Sequence, residues 1–280
     1  MKTKRALLWV LIWVGTALLF TFWMFRWQGE QHGIEFLTCY IIEWSLSVDN
    51  LFVFLLIFKS FGVASNRQLR VLNWGIIGAV VLRLLFILVG VALVGMFEPI
   101  LYLFGAILLY SAYKMVAKQD EAMDIRENMV VKYAQRHIPM TPDYVEDKFF
   151  TRQGRGFLAT PMVLVLVAVN LTDVIFAVDS VPAAFAVTRN PWIIFSANVF
   201  AILGLRSLYF VLARAEEKFW LLKYGVGVVL AFVGVKMITA HWIDYGRYLS
   251  LAVILLSLGA AVAASLLIHP PREAPSGQKD

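Results

Sequence analysis

Long apolar stretches, each about the length of one helical crossing of a bilayer, alternate along this chain with short polar segments. A helix needs roughly 20 consecutive apolar residues to cross the hydrocarbon core. The pattern predicts eight such spans, over residues 7–27, 34–58, 71–95, 99–117, 157–187, 192–213, 219–240 and 248–268. The expected fold is therefore an all-α polytopic membrane protein. The first span follows Lys2, Lys4 and Arg5, as a secretory signal would. It is too long and too aromatic for one, and no small-residue cleavage site follows, so it reads as a retained helix.

The pattern also repeats. Glu43-Trp44-Ser45-Leu46-Ser47-Val48-Asp49-Asn50 aligns with Asp173-Val174-Ile175-Phe176-Ala177-Val178-Asp179-Ser180. One span later Arg83 aligns with Arg206, and one span further Gly105 and Lys114 align with Gly227 and Lys236. Each unit holds three spans, and an odd number of crossings turns the second unit upside down relative to the first. Inverted repeats are a transporter architecture with the binding site near the midplane, where the units meet. The expected organisation is an N-terminal span and loop (1–33), a first three-helix repeat (34–117), a linker (118–156), a second repeat (157–240) and a last span with its tail (241–280).

Composition agrees with a lipid solvent. Hydrophobic residues make up 60% of the chain and charged residues 16%, with a mean hydropathy of +0.74; soluble domains carry about 25% charged residues. The net charge of +6 is a matter of topology. Arg26, Arg189 and Arg247 fall on one side and Arg83, Arg206 and Lys236 within spans, while the rest of the 25 Lys and Arg fall on the other. The positive-inside rule then places both termini and the linker in the cytoplasm. Basic residues scattered through short flanking loops give no reason to expect a nucleic-acid partner; the expected partners are the lipid bilayer and a divalent metal ion. The linker's acidic Asp120, Glu121, Asp124 and Glu127 read as a solvated helical face. Its Gly154-Arg155-Gly156-Phe157-Leu158-Ala159 imitates a dinucleotide fingerprint, but no strand is predicted before it and a span follows.

Ionisable groups at membrane depth are costly and mark function by default. Glu43, Asp49, Asp173 and Asp179 lie in the middle of spans two and five, as do Asn50, Asn170 and Ser180. Glu43, Ser47 and Asn50 share a helix face by spacing, as do Asn170, Asp173 and Ser180. Pro182 follows Asp179-Ser180 and is expected to break the helix there, freeing carbonyl oxygen next to carboxylates. Four carboxylates set against Arg83 and Arg206, which balance charge, leave a deficit that one divalent ion would fill. Oxygen donors suit Mn²⁺, Mg²⁺ or Ca²⁺ better than Zn²⁺ or Cu⁺. All four histidines sit in loops or at span ends, and the single Cys39 permits no intramolecular disulfide. The bland alternative is a set of Asp–Arg pairs that locks the helices.

At these residues the chain resembles the TerC integral membrane proteins of the LysE transporter superfamily. Glu43 through Phe54 is similar to that family's first signature, and Asn170 through Ala183 to its second. The likeness runs from about Glu35 to Lys236. It implies a multi-pass protein of the bacterial inner membrane or an organelle that exports Mn²⁺, in a family named for tellurite resistance, with Glu43, Asp49, Asp173 and Asp179 as its acidic positions. Trp44 stands where the family often has lysine, and by this resemblance the chain is expected to lack an additional N-terminal helix of many members. The expected function is secondary export of a divalent cation, Mn²⁺ first, in exchange for protons. The alternative is a membrane scaffold that hands metal to partners, or serves tellurite resistance, without transport. No cofactor is expected, and no catalytic constellation or Walker A motif points to an enzyme.

Overall fold

The computed structural model describes residues 3–117, 128–153, 156–212 and 221–268, and within its helices it leaves the side chains of Asp49 and Arg206, among a few others, undescribed. A helix stands at each of the eight expected spans: α1 (Thr3–Trp27), α2 (Glu30–Ser60), α3 (Ser65–Met96), α4 (Ile100–Ala117), α6 (Pro161–Phe185), α7 (Pro191–Leu212), α8 (Leu222–Thr239) and α9 (Arg247–Leu267). Seven are long and apolar enough to cross a membrane by length and composition, and α7 contributes the shorter apolar stretch Pro191–Leu205 among the described residues. Helices suit lipid because each satisfies its own backbone polar groups.

Helix ends follow local chemistry. Gly29, at φ 94°, takes the left-handed turn that separates α1 from α2. Thr160 caps α6 by accepting a bond from Met162 N, with Pro161 as first residue. The Asn190 side chain accepts from Trp192 N at the start of α7, again with a proline, Pro191, in first place.

The linker differs from expectation. Met129–His137 forms a short helix, α5, and Phe150–Gln153 (β1) pairs antiparallel with Gly156–Ala159 (β2). A strand, β1, therefore does precede Gly156, and residues 156–159 form its partner β2 rather than the start of the following span. An antiparallel two-stranded hairpin is still not the strand–turn–helix of a dinucleotide site. This segment docks on the α2–α3 turn. Tyr144 Oη donates to Phe61 O at 2.7 Å, Arg70 bonds Asp147 O at 2.6 Å, and Trp74 meets Phe149 edge-on. Residues 118–127, with the linker's acidic cluster, lie outside the described part.

The expected break at Pro182 is also absent. α2 and α6 run unbroken through 43–50 and 173–182. Pro182 lies within the last turn of α6, where it forfeits only the one bond to the carbonyl four residues back, and neighbouring packing holds the helix.

Packing crosses between the two sequence repeats. α4 lies on α8, α2 on α7, α3 on α6, α2 on α6 and α3 on α7, whereas α3 and α4, or α6 and α7, scarcely touch. This pattern is unchanged when α2, α3 and α4 are exchanged for α6, α7 and α8. The core is the seam between the repeats, and α1 and α9 are added outside it. Leu85, Leu88 and Val89 of α3 and Leu255 and Leu256 of α9 remain exposed, as a lipid-facing surface requires.

Candidate functional site

Arg83 of α3 is the largest of the fully buried side chains, 1% exposed. It gathers groups from both repeats. Nη1 donates to Glu43 Oε2 on α2 at 2.5 Å and to Ser180 Oγ on α6 at 2.9 Å. Nη2 and Nε donate to the two carboxylate oxygens of Asp173 on α6, at 3.2 and 3.4 Å. An unbroken α6 explains why Asp173 and Ser180 act together: seven residues are nearly two turns, so both face α3.

With both carboxylates ionised, this cluster carries one negative charge in excess. Glu43 is 1% exposed, and its Oε1 has no hydrogen-bond partner among the described residues. Ser47 Oγ, one turn along α2, is likewise buried and unpartnered among them. A buried acceptor left unmade costs about 1–3 kcal/mol, more when charged. With both carboxylates ionised the cluster is thus short of positive charge, and Glu43 Oε1 lacks a donor among the described residues.

The other expected residues spread around this centre. Asp179 is turned away from it: Oδ1 accepts a 2.5 Å bond from Ser111 Oγ of α4. Six residues past Asp173, it lies about 240° round the helix. Asn170 is half-buried, with Nδ2 on Leu166 O at 2.9 Å and Oδ1 unpartnered among the described residues. That Oδ1 abuts Gly78, where any side chain would collide with it. Asn50 is buried on α2. The side chains of Asp49 and Arg206 fall outside the described part. Among the described residues, no three His, Cys, Asp or Glu side chains come together closely enough to hold a metal ion. The charge-balancing role expected of Arg83 has a geometry, then, while the four-carboxylate cage has one only for Glu43 and Asp173.

Sequence reasoning passed over Ser111 and Asn198. Asn198 of α7 is fully buried, and neither amide atom has a partner among the described residues. The available signal was a polar side chain inside an apolar span. Below Asp173, a cavity of about 20 Å³ is walled by apolar residues, Leu51, Phe54, Ile76, Ile202 and Leu205 among them. That is room for about one water, so this side of the cluster is closed.

The chain matches the Integral membrane protein TerC family over residues 28–273. It is 44% identical over 262 residues to the putative membrane-bound redox modulator Alx of Escherichia coli, covering 91% of this chain and 82% of that protein. It is 43% identical over 282 residues to a membrane protein of Myxococcus xanthus, covering 100% of this chain and 87% of that one. The thylakoid membrane protein TERC of Arabidopsis thaliana is 43% identical over 258 residues, covering 92% of this chain and 67% of its own. No solved structure matches.

Proposed function

The chain belongs to the integral membrane protein TerC family, and from that premise we propose that it is a secondary transporter exporting a divalent metal cation, Mn²⁺ first among them, in exchange for protons. The observation that carries the reading is the buried cluster of Glu43, Asp173 and Arg83, two carboxylates to one guanidinium, with Glu43 Oε1 unpartnered among the described residues. Two species compete for those carboxylate oxygens: a proton, which cancels the single excess charge, or a divalent metal ion, which neutralises both carboxylates and requires Arg83 to move to another anionic partner. Either satisfies the cluster and each excludes the other, which is the requirement for exchange. Oxygen donors select a hard cation.

The positive-inside distribution puts the termini and linker in the cytoplasm. The small apolar cavity beside Asp173 is then on the cytoplasmic side, and the opposite end of the bundle is the side of release. The relatives' redox description offers a second direction. A dithiol mechanism would need two cysteines in reach of each other, and this chain has only Cys39, so export is the reading we favour.

Sealed vesicles holding the purified protein test it. Mn²⁺ should move down its gradient with opposite proton movement, and Glu43→Gln and Asp173→Asn should lose most of that flux at normal protein abundance. Wild-type vesicles without Mn²⁺ flux would overturn the reading.

A further inference from the structure

At the end of the bundle away from the linker, a cavity of about 470 Å³ opens between α2, the α6–α7 turn and α8. Glu35, His32, Thr188, Asn190 and Lys236 line it, with Phe185 and Met237 among its apolar walls. The Glu35 carboxylate accepts Thr188 Oγ1 on one oxygen and Gln31 Nε2 on the other, each at 2.8 Å. It thereby joins the first repeat to the turn of the second.

Glu35 also starts a line of residues. Glu35, Cys39, Glu43 and Ser47 are spaced by four along α2, so they lie on one face. The facing line begins at Thr188 just past α6 and continues on that helix as Ala184, Ser180, Ala177 and Asp173. The two lines meet at three levels. Glu35 takes the hydroxyl of Thr188, Cys39 Sγ lies 3.9 Å from Ala184 O, and Glu43 and Ser180 share Arg83. Between cavity and cluster the seam is filled by small groups: Cys39 and Ala184 are both fully buried, and Ala177 is 1% exposed. At its inner end stand the buried Glu43 Oε1 and Ser47 Oγ, unpartnered among the described residues.

We propose that this α2–α6 seam is the path by which the cation leaves the central cluster for the cavity, with Glu35 as the oxygen ligand at its mouth and the Cys39 thiol at its narrowest point. The proposal rests on the export reading and adds two residues to it that the paired acidic signatures do not include. Small side chains let the two helices part without disturbing bulky packing, and Glu35 gives up a neutral hydroxyl and an amide to take the ion. Lys236 of α8, tied to Ser250 Oγ at 3.0 Å, and Arg189 also line the cavity and weaken the hold of Glu35 on the ion.

Because Cys39 is the only cysteine, its labelling can be read without further engineering. Vesicles carry the protein with the cavity facing out, and a charged, impermeant methanethiosulfonate reagent is added outside, with Mn²⁺ loaded inside or omitted. Mn²⁺ flux is followed in parallel. Labelling of Cys39 should be slow without Mn²⁺ and several-fold faster with it, and Glu43→Gln should abolish the acceleration. Glu35→Gln should slow flux several-fold at unchanged abundance, with Glu35→Asp recovering most of it. Intact flux with Cys39 unlabelled, or labelled at one rate throughout, would overturn the seam. Intact flux in Glu35→Gln would remove Glu35 from it. Absent flux in the wild-type protein would defeat the export reading instead, and the seam would fall with it.

Discussion

Ser111 Oγ of α4 donates a 2.5 Å hydrogen bond to Asp179 Oδ1 of α6, which separates Asp179 from the cluster that Asp173 joins two turns earlier. The two carboxylates share a helix but not a neighbourhood. Asp173 is held by a buried cation, and Asp179 by a hydroxyl in a half-buried groove.

Despite that difference, neutralising either acid is expected to cost efflux rather than abundance. Asp179→Asn keeps the bond to Ser111 and deletes only charge, so protein abundance should stay normal while Mn²⁺ efflux is lost. Ser111→Ala removes a hydrogen bond to a charged group, worth about 1.5–3 kcal/mol, and should weaken efflux without abolishing it. Efflux at wild-type level in Asp179→Asn would take that residue out of the transport site. The measurements are immunoblot abundance and efflux from Mn²⁺-loaded cells.

Arg83→Gln leaves two buried carboxylates without their cation. Breaking a buried pair in this way costs roughly 3–5 kcal/mol, so the variant should be scarce in the membrane and melt early in detergent. Adding Glu43→Gln removes one of the stranded charges and should restore part of the loss. A double-mutant cycle on melting should return a coupling of at least about 1 kcal/mol; strict additivity would show that the proximity of the pair carries no energy.

The α4–α8 crossing depends on bare backbone. A Cβ at Gly234 would stand 2.9 Å from Gly105 O, and one at Gly105 would stand 3.0 Å from Gly234 O. Close approach through small residues is how membrane helices gain dispersion contact. Gly234→Ala should therefore destabilise by about 1–3 kcal/mol, despite alanine's better helix propensity. Gly259→Ala, where nothing lies within 4 Å, should gain up to about 1 kcal/mol. Thermal aggregation in detergent compares them directly.

Orientation can be read with reporters. Fusions at residue 140 should report cytoplasm, and fusions at residue 243 the opposite side, because the basic residues cluster around the linker. A linker reachable from outside would reverse both the export direction and the assignment of the release side.

Much of this protein was legible in one dimension. Hydropathy is a local property, so the eight spans could be placed before any contact was known, each on a helix that the structure contains. The matched Glu43/Asp173 and Arg83/Arg206 positions marked the depth at which polar chemistry lies, because charge at mid-span is costly and persists only where it faces the bundle interior and finds a partner. Glu35 and Cys39 stood eight and four residues before Glu43 and announced nothing, since a face matters only once something packs on it. Regularity was misjudged for a related reason: Pro182 is a strong local signal for a break, but a proline in the last turn of a well-packed helix loses only one bond. Partner choice was beyond the sequence altogether. Arg83 reaches Glu43 and Asp173 across 40 and 90 residues of chain, and Asp179 turns to Ser111 across 68. Those pairings depend on which helices cross and at what rotation, and crossing is decided by the shapes of whole faces, such as the bare backbone at Gly105 and Gly234, rather than by any residue's own chemistry.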